Sequence, residues 1–256
     1  MNKVKNEIML ITYADSLGEN LTDLKEVLEK YYSDAIGGVH ILPFFPSSGD
    51  RGFAPMRYDV VDEAFGNMED VKEISKDSYL MYDFMVNHIS RQSEFFKDFQ
   101  EKKDESKYND FFIRYKDFWK NGEPTQEEVD AIYKRKPKAP CYEVEFKDGT
   151  KENVWCTFGE EQIDLNMNSK VARQFIKDTL ISMCENGASI IRLDAFAYAI
   201  KEPGTSCFFI EPEMWDLLYE IQDTVKEYGV DILPEIHEHY TIQHKIAEKG
   251  FWIYDF

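Results

Sequence analysis

An α/β fold built on a parallel sheet is what this sequence predicts, and three observations predict it. Short apolar runs alternate along the chain with amphipathic helical stretches. The runs are apolar on both faces, as strands buried between two layers are. Strands and helices alternate one for one, the order that makes parallel sheets.

Six runs have the length and composition of strands: Ile8–Tyr13, Val39–Phe44, Leu80–Val86, Ser189–Asp194, Asp231–Ile236 and Phe251–Tyr254. Between them, apolar residues recur at helical spacing. Leu24, Val27, Leu28 and Tyr31 form one stripe. Phe175, Ile176, Thr179, Leu180 and Met183 form a second, stopped by Asn186-Gly187. Met214, Leu217, Leu218, Ile221 and Val225 form a third. From about Arg91 to Asn168 the rhythm breaks. This stretch is polar, aromatic and rich in Lys and Glu, and its NGEP, KRKPKAP and FKDGTKE segments read as turns and a small hairpin. We take 92–168 as a small domain inserted after strand three, between 1–91 and 169–256. Outside it, roughly 180 residues carry six strands, about 30 per strand–helix unit. That is the step of a TIM-type (β/α)8 barrel, which needs about 250 residues without insertions. The expected fold is therefore such a barrel, truncated after about strand six.

Composition narrows the function. Asp and Glu number 49 against 30 Lys and Arg, a net charge of −19. Nucleic acid and anionic membrane both call for a basic surface, so neither is an expected partner. No apolar run has the length of a signal peptide or a spanning helix. Cys141, Cys156, Cys184 and Cys207 lie far apart without CxxC spacing, which fits reduced, unpaired thiols in a cytoplasm rather than a zinc site.

The polar residues that interrupt the apolar runs fall at strand C-terminal ends, where barrel enzymes build their sites. Arg192 and Asp194 are two apart and share one side of a strand. An Arg beside a carboxylate keeps it ionised and oriented, although the pair alone reads equally well as a buried salt bridge. Glu235 and His237 likewise share a face, and a Glu at the mouth of a partly apolar pocket can serve as an acid. Equally, it could be a solvated strand-end residue. The run His237-Glu238-His239 lacks the HExxH spacing that puts two His on one helical face, so no metal is expected. His88 ends the third strand, as a sugar ligand or a satisfied core histidine. The loop Pro46–Phe53 offers Asp50 and Phe53, a carboxylate and a ring that suit the hydroxyls and C–H faces of a sugar, or a plain surface turn. Two carboxylates at the ends of adjacent strands, with a His and this loop, meet the needs of a retaining glycosidase. Its nucleophile and acid/base sit about 5–5.5 Å apart.

The runs DFMVNH, GASIIRLDAF, ILPEIHEHY and QIDLN resemble conserved regions of glycoside hydrolase family 13, the α-amylase family. The longer runs ITYADSLG, GVHILPFFP, GDRGFAP, VNHISRQS, TFGEEQIDLN, RLDAFAYAIKEPGTSCFF and LPEIHEHYTIQ resemble its sucrose phosphorylase branch, over nearly the whole chain. The resemblance implies a nucleophile at Asp194, an acid/base at Glu235 and an Arg192 that holds Asp194. It implies glucosyl contacts from His88 and Asp50, a ring platform at Phe53, and Gln162 and His237 near the acceptor. The implied reaction is retaining phosphorolysis of sucrose to α-glucose 1-phosphate through a covalent glucosyl-enzyme, with inorganic phosphate as co-substrate. No cofactor is implied, and the calcium of many α-amylases is not expected. Because some members of the branch are dimers, the resemblance allows a homodimer.

The sequence departs from the pattern in two places. The branch continues into two more strands, with a third carboxylate in a THDG-like segment and an Arg that partners the Asp50 equivalent. A chain of residues 1–256 lacks both, and little activity is expected of it alone. Second, Arg57 stands where many sucrose phosphorylases have Asp. Relatives acting on sucrose 6F-phosphate are closer here, so Arg57, Arg135 or Lys136 is a candidate phosphate contact. A hydrolase or transglucosidase of the family, and a non-catalytic sugar-binding remnant, are the competing functions.

Overall fold

In a computed structural model of the chain, residues 4–254 are described. The chain runs β1 (Met9–Thr12), α1 (Leu21–Tyr31), β2 (Gly38–Ile41), α2 (Met68–Ser75), β3 (Tyr79–Met85) and β4 (His88–Ser90). It continues through α3 (Glu94–Lys102), α4 (Tyr115–Phe118), α5 (Gln126–Ala131), β5 (Cys141–Glu145), β6 (Lys151–Trp155) and β7 (Gln162–Asp164). Then follow α6 (Lys170–Glu185), β8 (Ala188–Asp194), α7 (Glu213–Lys226), β9 (Asp231–Pro234) and α8 (Tyr240–Glu248). β1, β2, β3, β8 and β9 form one sheet in that order, every pairing parallel. Five successive strands of a β/α barrel are thus in place.

Several helices start where a side chain satisfies their first free amides. Asn20 accepts from the Asp23 amide to cap α1, and Asn67 and Asp70 close a capping box on α2. Ser169 caps α6, which ends at Asn186; Gly187 then takes φ 96°, a conformation a Cβ would oppose. The second and third helical stripes are buried, apart from the half-buried Phe175. In α1 the buried stripe is Leu21, Leu24 and Leu28, while Tyr31 lies 64% exposed. The expected stripe ran one turn too far toward the C-terminus.

Period-two alternation divides each central strand between two environments. Leu80, Tyr82 and Phe84 of β3 and Ile191 and Leu193 of β8 join the main core beneath the helices. Each contributes about 1.5–3 kcal/mol by burial. The other face of the same strands carries Met81 and Ile190, in a small cluster with Leu233, and beyond them the polar residues Asp83, Arg192 and Asp194. The apolar floor and the charged end of the barrel interior are therefore the same face of the same strands.

Two strand expectations need correction. Phe251–Tyr254 is not a strand: it makes no ladder among the described residues, and its apolar pattern comes from packing. Phe251 is buried in the main core, and Tyr254 packs on the Met81–Ile190–Leu233 cluster. β1 is not apolar on two buried faces either. Among the described residues it pairs only with β2, and Ile8 and Ile11 lie 69% and 60% exposed.

Between β3 and β8 the chain leaves the parallel sheet. β5 and β6 form the antiparallel hairpin expected around FKDGTKE. Unanticipated was the short antiparallel pair β4–β7, which sets His88 opposite Asp164 and Ser90 opposite Gln162. The four cysteines are unpaired, and three of them are buried. Among the described residues no helix is long and apolar enough to cross a membrane.

Candidate active site

Register builds the centre of the site. β3 and β8 place Asp83 beside Arg192 and Met85 beside Asp194. β9 runs alongside β8, and the Glu235 amide donates to the Leu193 carbonyl at 3.0 Å, which carries Glu235 to the same level. The Arg192 guanidinium then meets three carboxylates. One terminal nitrogen contacts Asp194 at 2.9 Å and also Asp83; the other contacts Glu235 at 2.9 Å. The rigid fork of one guanidinium therefore sets the spacing of Asp194 and Glu235. Asp83 is itself fixed by His40 at 2.8 Å. Glu235 accepts a second bond, from the Ala195 amide at 3.0 Å. Ala195 has φ 53°, a strained value for a residue with a Cβ, and this bond helps to hold it.

Charge in this cluster is unbalanced, with three carboxylates around one cation. Burial alone would lower Arg192, but Asp83, Asp194 and Glu235 outweigh it and keep the guanidinium protonated. Burial pushes the Asp194 carboxyl up, to about 7; Arg192 opposes this, and Glu235 and Asp83 add to it. A carboxyl raised on folding favours the folded state below its unfolded value, and that contribution is lost as pH rises through the folded value. The parent should therefore lose stability relative to D194N between about pH 4 and about pH 7. Melting temperatures across that range check this, with D194N gaining on the parent as pH rises. A difference that does not change with pH would contradict it.

Around this centre lies a cavity of about 280 Å³, small-molecule in scale. Nine residues singled out from the sequence line it together: Asp50, Phe53, His88, Arg135, Gln162, Arg192, Asp194, Glu235 and His237. His88 is buried, donates from Nε2 to the Phe53 carbonyl at 2.9 Å, and is kept neutral mainly by burial. Phe53 also stands over the Arg192 guanidinium at 6.0 Å.

Arg57 does not join them. It pairs with Asp59 and lies in a separate cleft with Glu94, Phe95 and Asp178, between α3 and α6. Its neighbour Tyr58 turns inward, where its hydroxyl accepts from the Met85 amide at 3.0 Å, and Arg57 points the other way. Lys136 donates to the Phe158 carbonyl at 3.1 Å and to the Cys156 sulfur.

Several residues of the site were missed in the sequence. Phe158, Tyr198 and Phe208 add an aromatic wall: His88 to Phe158, Phe158 to Tyr198, and Tyr198 to Phe208 lie 5.4, 5.2 and 4.9 Å apart by ring centroids. Burial pushes the Tyr198 hydroxyl up to about 12, so it stays a donor. Beneath His88, Lys201 and Asp164 form a buried ion pair at 2.8 Å, and Lys201 also donates to Asn87 at 2.9 Å. Asp83 was findable, as the one acid inside an otherwise apolar strand.

Comparison with known proteins identifies the family. The chain is 57% identical over 251 residues to the sucrose phosphorylase of Streptococcus mutans, covering 98% of this chain and 52% of that protein. It is 45% identical to the sucrose 6(F)-phosphate phosphorylase of Thermoanaerobacterium thermosaccharolyticum, covering 99% of this chain and 53% of that one. The crystal structure of sucrose 6F-phosphate phosphorylase from Thermoanaerobacter thermosaccharolyticum superposes with a TM-score of 0.96 at 44% identity, over 99% of this chain and 52% of that one. The chain thus spans about half the length of the relatives it matches. Residues 8–249 match the family described as alpha amylase, catalytic domain, and with its partial β/α barrel and clustered strand-end carboxylates the chain belongs to that family.

Proposed function

We propose that this site performs retaining glucosyl transfer from sucrose, or sucrose 6F-phosphate, to inorganic phosphate. The observation that carries the reading is the guanidinium of Arg192 clamping Asp194 and Glu235 at one end of the barrel. Two carboxyls held on one guanidinium suit a nucleophile and an acid/base that act on a single anomeric carbon. Asp194 attacks the anomeric carbon as Glu235 protonates the departing fructosyl oxygen, and a β-glucosyl ester forms. Phosphate then displaces Asp194, giving up a proton to Glu235 where it carries one, and α-glucose 1-phosphate leaves. Two inversions give net retention. These steps use only acid–base and nucleophilic chemistry. Asp50, His88 and Phe53 would hold the glucosyl ring, and His237 would lie toward the acceptor. In this reading 92–168 is an inserted domain that supplies Arg135, Phe158 and Gln162 to the lining of the pocket.

The test is phosphate-dependent release of glucose 1-phosphate, with sucrose and sucrose 6F-phosphate offered in parallel. It is run on residues 1–256 and on the chain extended to the length of its relatives. Product from either form supports the reading. Hydrolysis to glucose that ignores phosphate, or no turnover in both forms, overturns it.

One position bears on the choice of sugar. Arg135 lines the cavity and Arg57 does not. A charged hydrogen bond lost to a phosphate is worth roughly 1.5–3 kcal/mol, or roughly 10- to 100-fold. R135A should weaken use of phosphate, or of the 6F-phosphate group, by about that factor. R57A should change neither by more than about twofold. Michaelis constants for phosphate and for both sugars, measured on the two variants, check this.

A further inference from the structure

The loop between β2 and α2 holds Asp50 and Arg51 with φ of 52° and 51°, left-handed values that neither residue favours. Such a turn persists only where its surroundings hold it. Arg51 is tied outward to Asp15 through two bonds, at 2.8 and 3.0 Å. Inward, the tie is Gln162, which is 5% exposed. The direction of its amide is decided by its neighbours. The Gly159 amide donates to Oε1 at 3.1 Å, so Nε2 faces the other way. Nε2 donates to Asp50 Oδ2 at 3.0 Å and to the Phe53 carbonyl at 2.9 Å. Both amide hydrogens are then spent inside the protein, and none is left for a sugar hydroxyl. The neighbouring Glu161 anchors the segment, accepting from Ser48 at 2.9 Å and pairing with Arg91 at 2.6 Å.

We infer that Gln162 is a positioning residue, which acts on the substrate by holding the Asp50 carboxylate and the Asp50–Phe53 turn in their sugar-binding arrangement. The inference rests on the proposed reading in taking Asp50 as a sugar ligand. It assigns Gln162 a task different from acceptor contact.

The deciding variant is Q162E, which sets a carboxylate oxygen against Asp50 and the Phe53 carbonyl. Two carboxyls at hydrogen-bond distance share a proton as pH falls, which restores one donor. At pH 8, Q162E is expected to raise KM for the glucosyl donor about tenfold or more, with a smaller fall in kcat. Amide hydrogen exchange across residues 48–54 should also quicken. Both effects should shrink toward pH 5. A raised KM with unchanged loop exchange would mean that Gln162 touches the sugar directly and would overturn the inference. So would losses that are the same at every pH. Should Q162E not fold, Q162M carries the test. It removes the donors at similar size, and faster loop exchange with a raised KM is expected, whereas parent-like exchange overturns the inference. If neither sugar is turned over by the parent, the proposed function fails, yet loop exchange in the two variants still decides the role of Gln162.

Discussion

Replacing Asp194 by Asn is expected to remove release of glucose 1-phosphate by on the order of 10⁴-fold or more, the scale seen when a covalent nucleophile is deleted. The substitution keeps the shape of the residue and one oxygen for Arg192, which contacts Asp194 at 2.9 Å. It takes away the negative charge that attacks the anomeric carbon. Arg192 would remain paired with Asp83 and Glu235, so the cluster should stay assembled. Two readouts separate chemistry from folding. Mass spectrometry of the parent, given sucrose without phosphate, should find a fraction heavier by one anhydroglucosyl unit, and D194N should lack it. Melting at pH 8 should show D194N folded and at least as stable as the parent, since burial holds Asp194 up to about 7 despite the opposing charge of Arg192. The same elevation predicts that glucosylation by the parent falls off on the acid side of about pH 7, because only the carboxylate attacks. D194N within tenfold of parent turnover would end the assignment of Asp194 as nucleophile.

How much of this site could be read beforehand follows from the kind of signal each residue leaves. Arg192, Asp194 and Glu235 were legible because strand alternation fixes which side chains share a face and because barrel sites gather at strand ends. Asp50 needed motif resemblance as well, since no periodicity governs the β2–α2 loop, and His88 needed it to choose between a sugar ligand and a core histidine. Tyr198 and Phe208 escaped notice in an irregular segment where aromatic residues carry no positional pattern. Arg57 was misplaced because a residue's neighbours in sequence do not say which way it points. The inward turn of Tyr58 decided that, through a bond to Met85 on a strand 27 positions later. Phe251–Tyr254 failed for a related reason. Apolar composition reports burial, whereas a strand also requires a partner ladder, and here burial came from packing alone. The β4–β7 pair was too short to signal itself, yet it brings the VNH and QIDLN segments together.

Glu235→Gln separates the proton donor from the structural brace. Glu235 has two jobs in the fold: one oxygen meets Arg192 at 2.9 Å, and the other accepts from the Ala195 amide at 3.0 Å. Gln keeps one acceptor and turns the other position into a donor, so E235Q loses a proton to give and one of these two contacts. If the proton is what matters, the loss must depend on the leaving group. Fructose leaves poorly as an alkoxide, and removing a positioned acid costs about 10²- to 10⁴-fold. Fluoride leaves without protonation. E235Q is therefore expected to fall by about that factor on sucrose, yet to remain within about tenfold of the parent on α-glucosyl fluoride with phosphate as acceptor. Phosphate is already an anion at neutral pH, so the second displacement makes little demand on a base. Steady-state kcat/KM for both donors, on the same preparation, decides the matter. Equal losses on the two donors would show that Glu235 serves the site by bracing Arg192 and Ala195, and the acid would have to be sought elsewhere around the cavity.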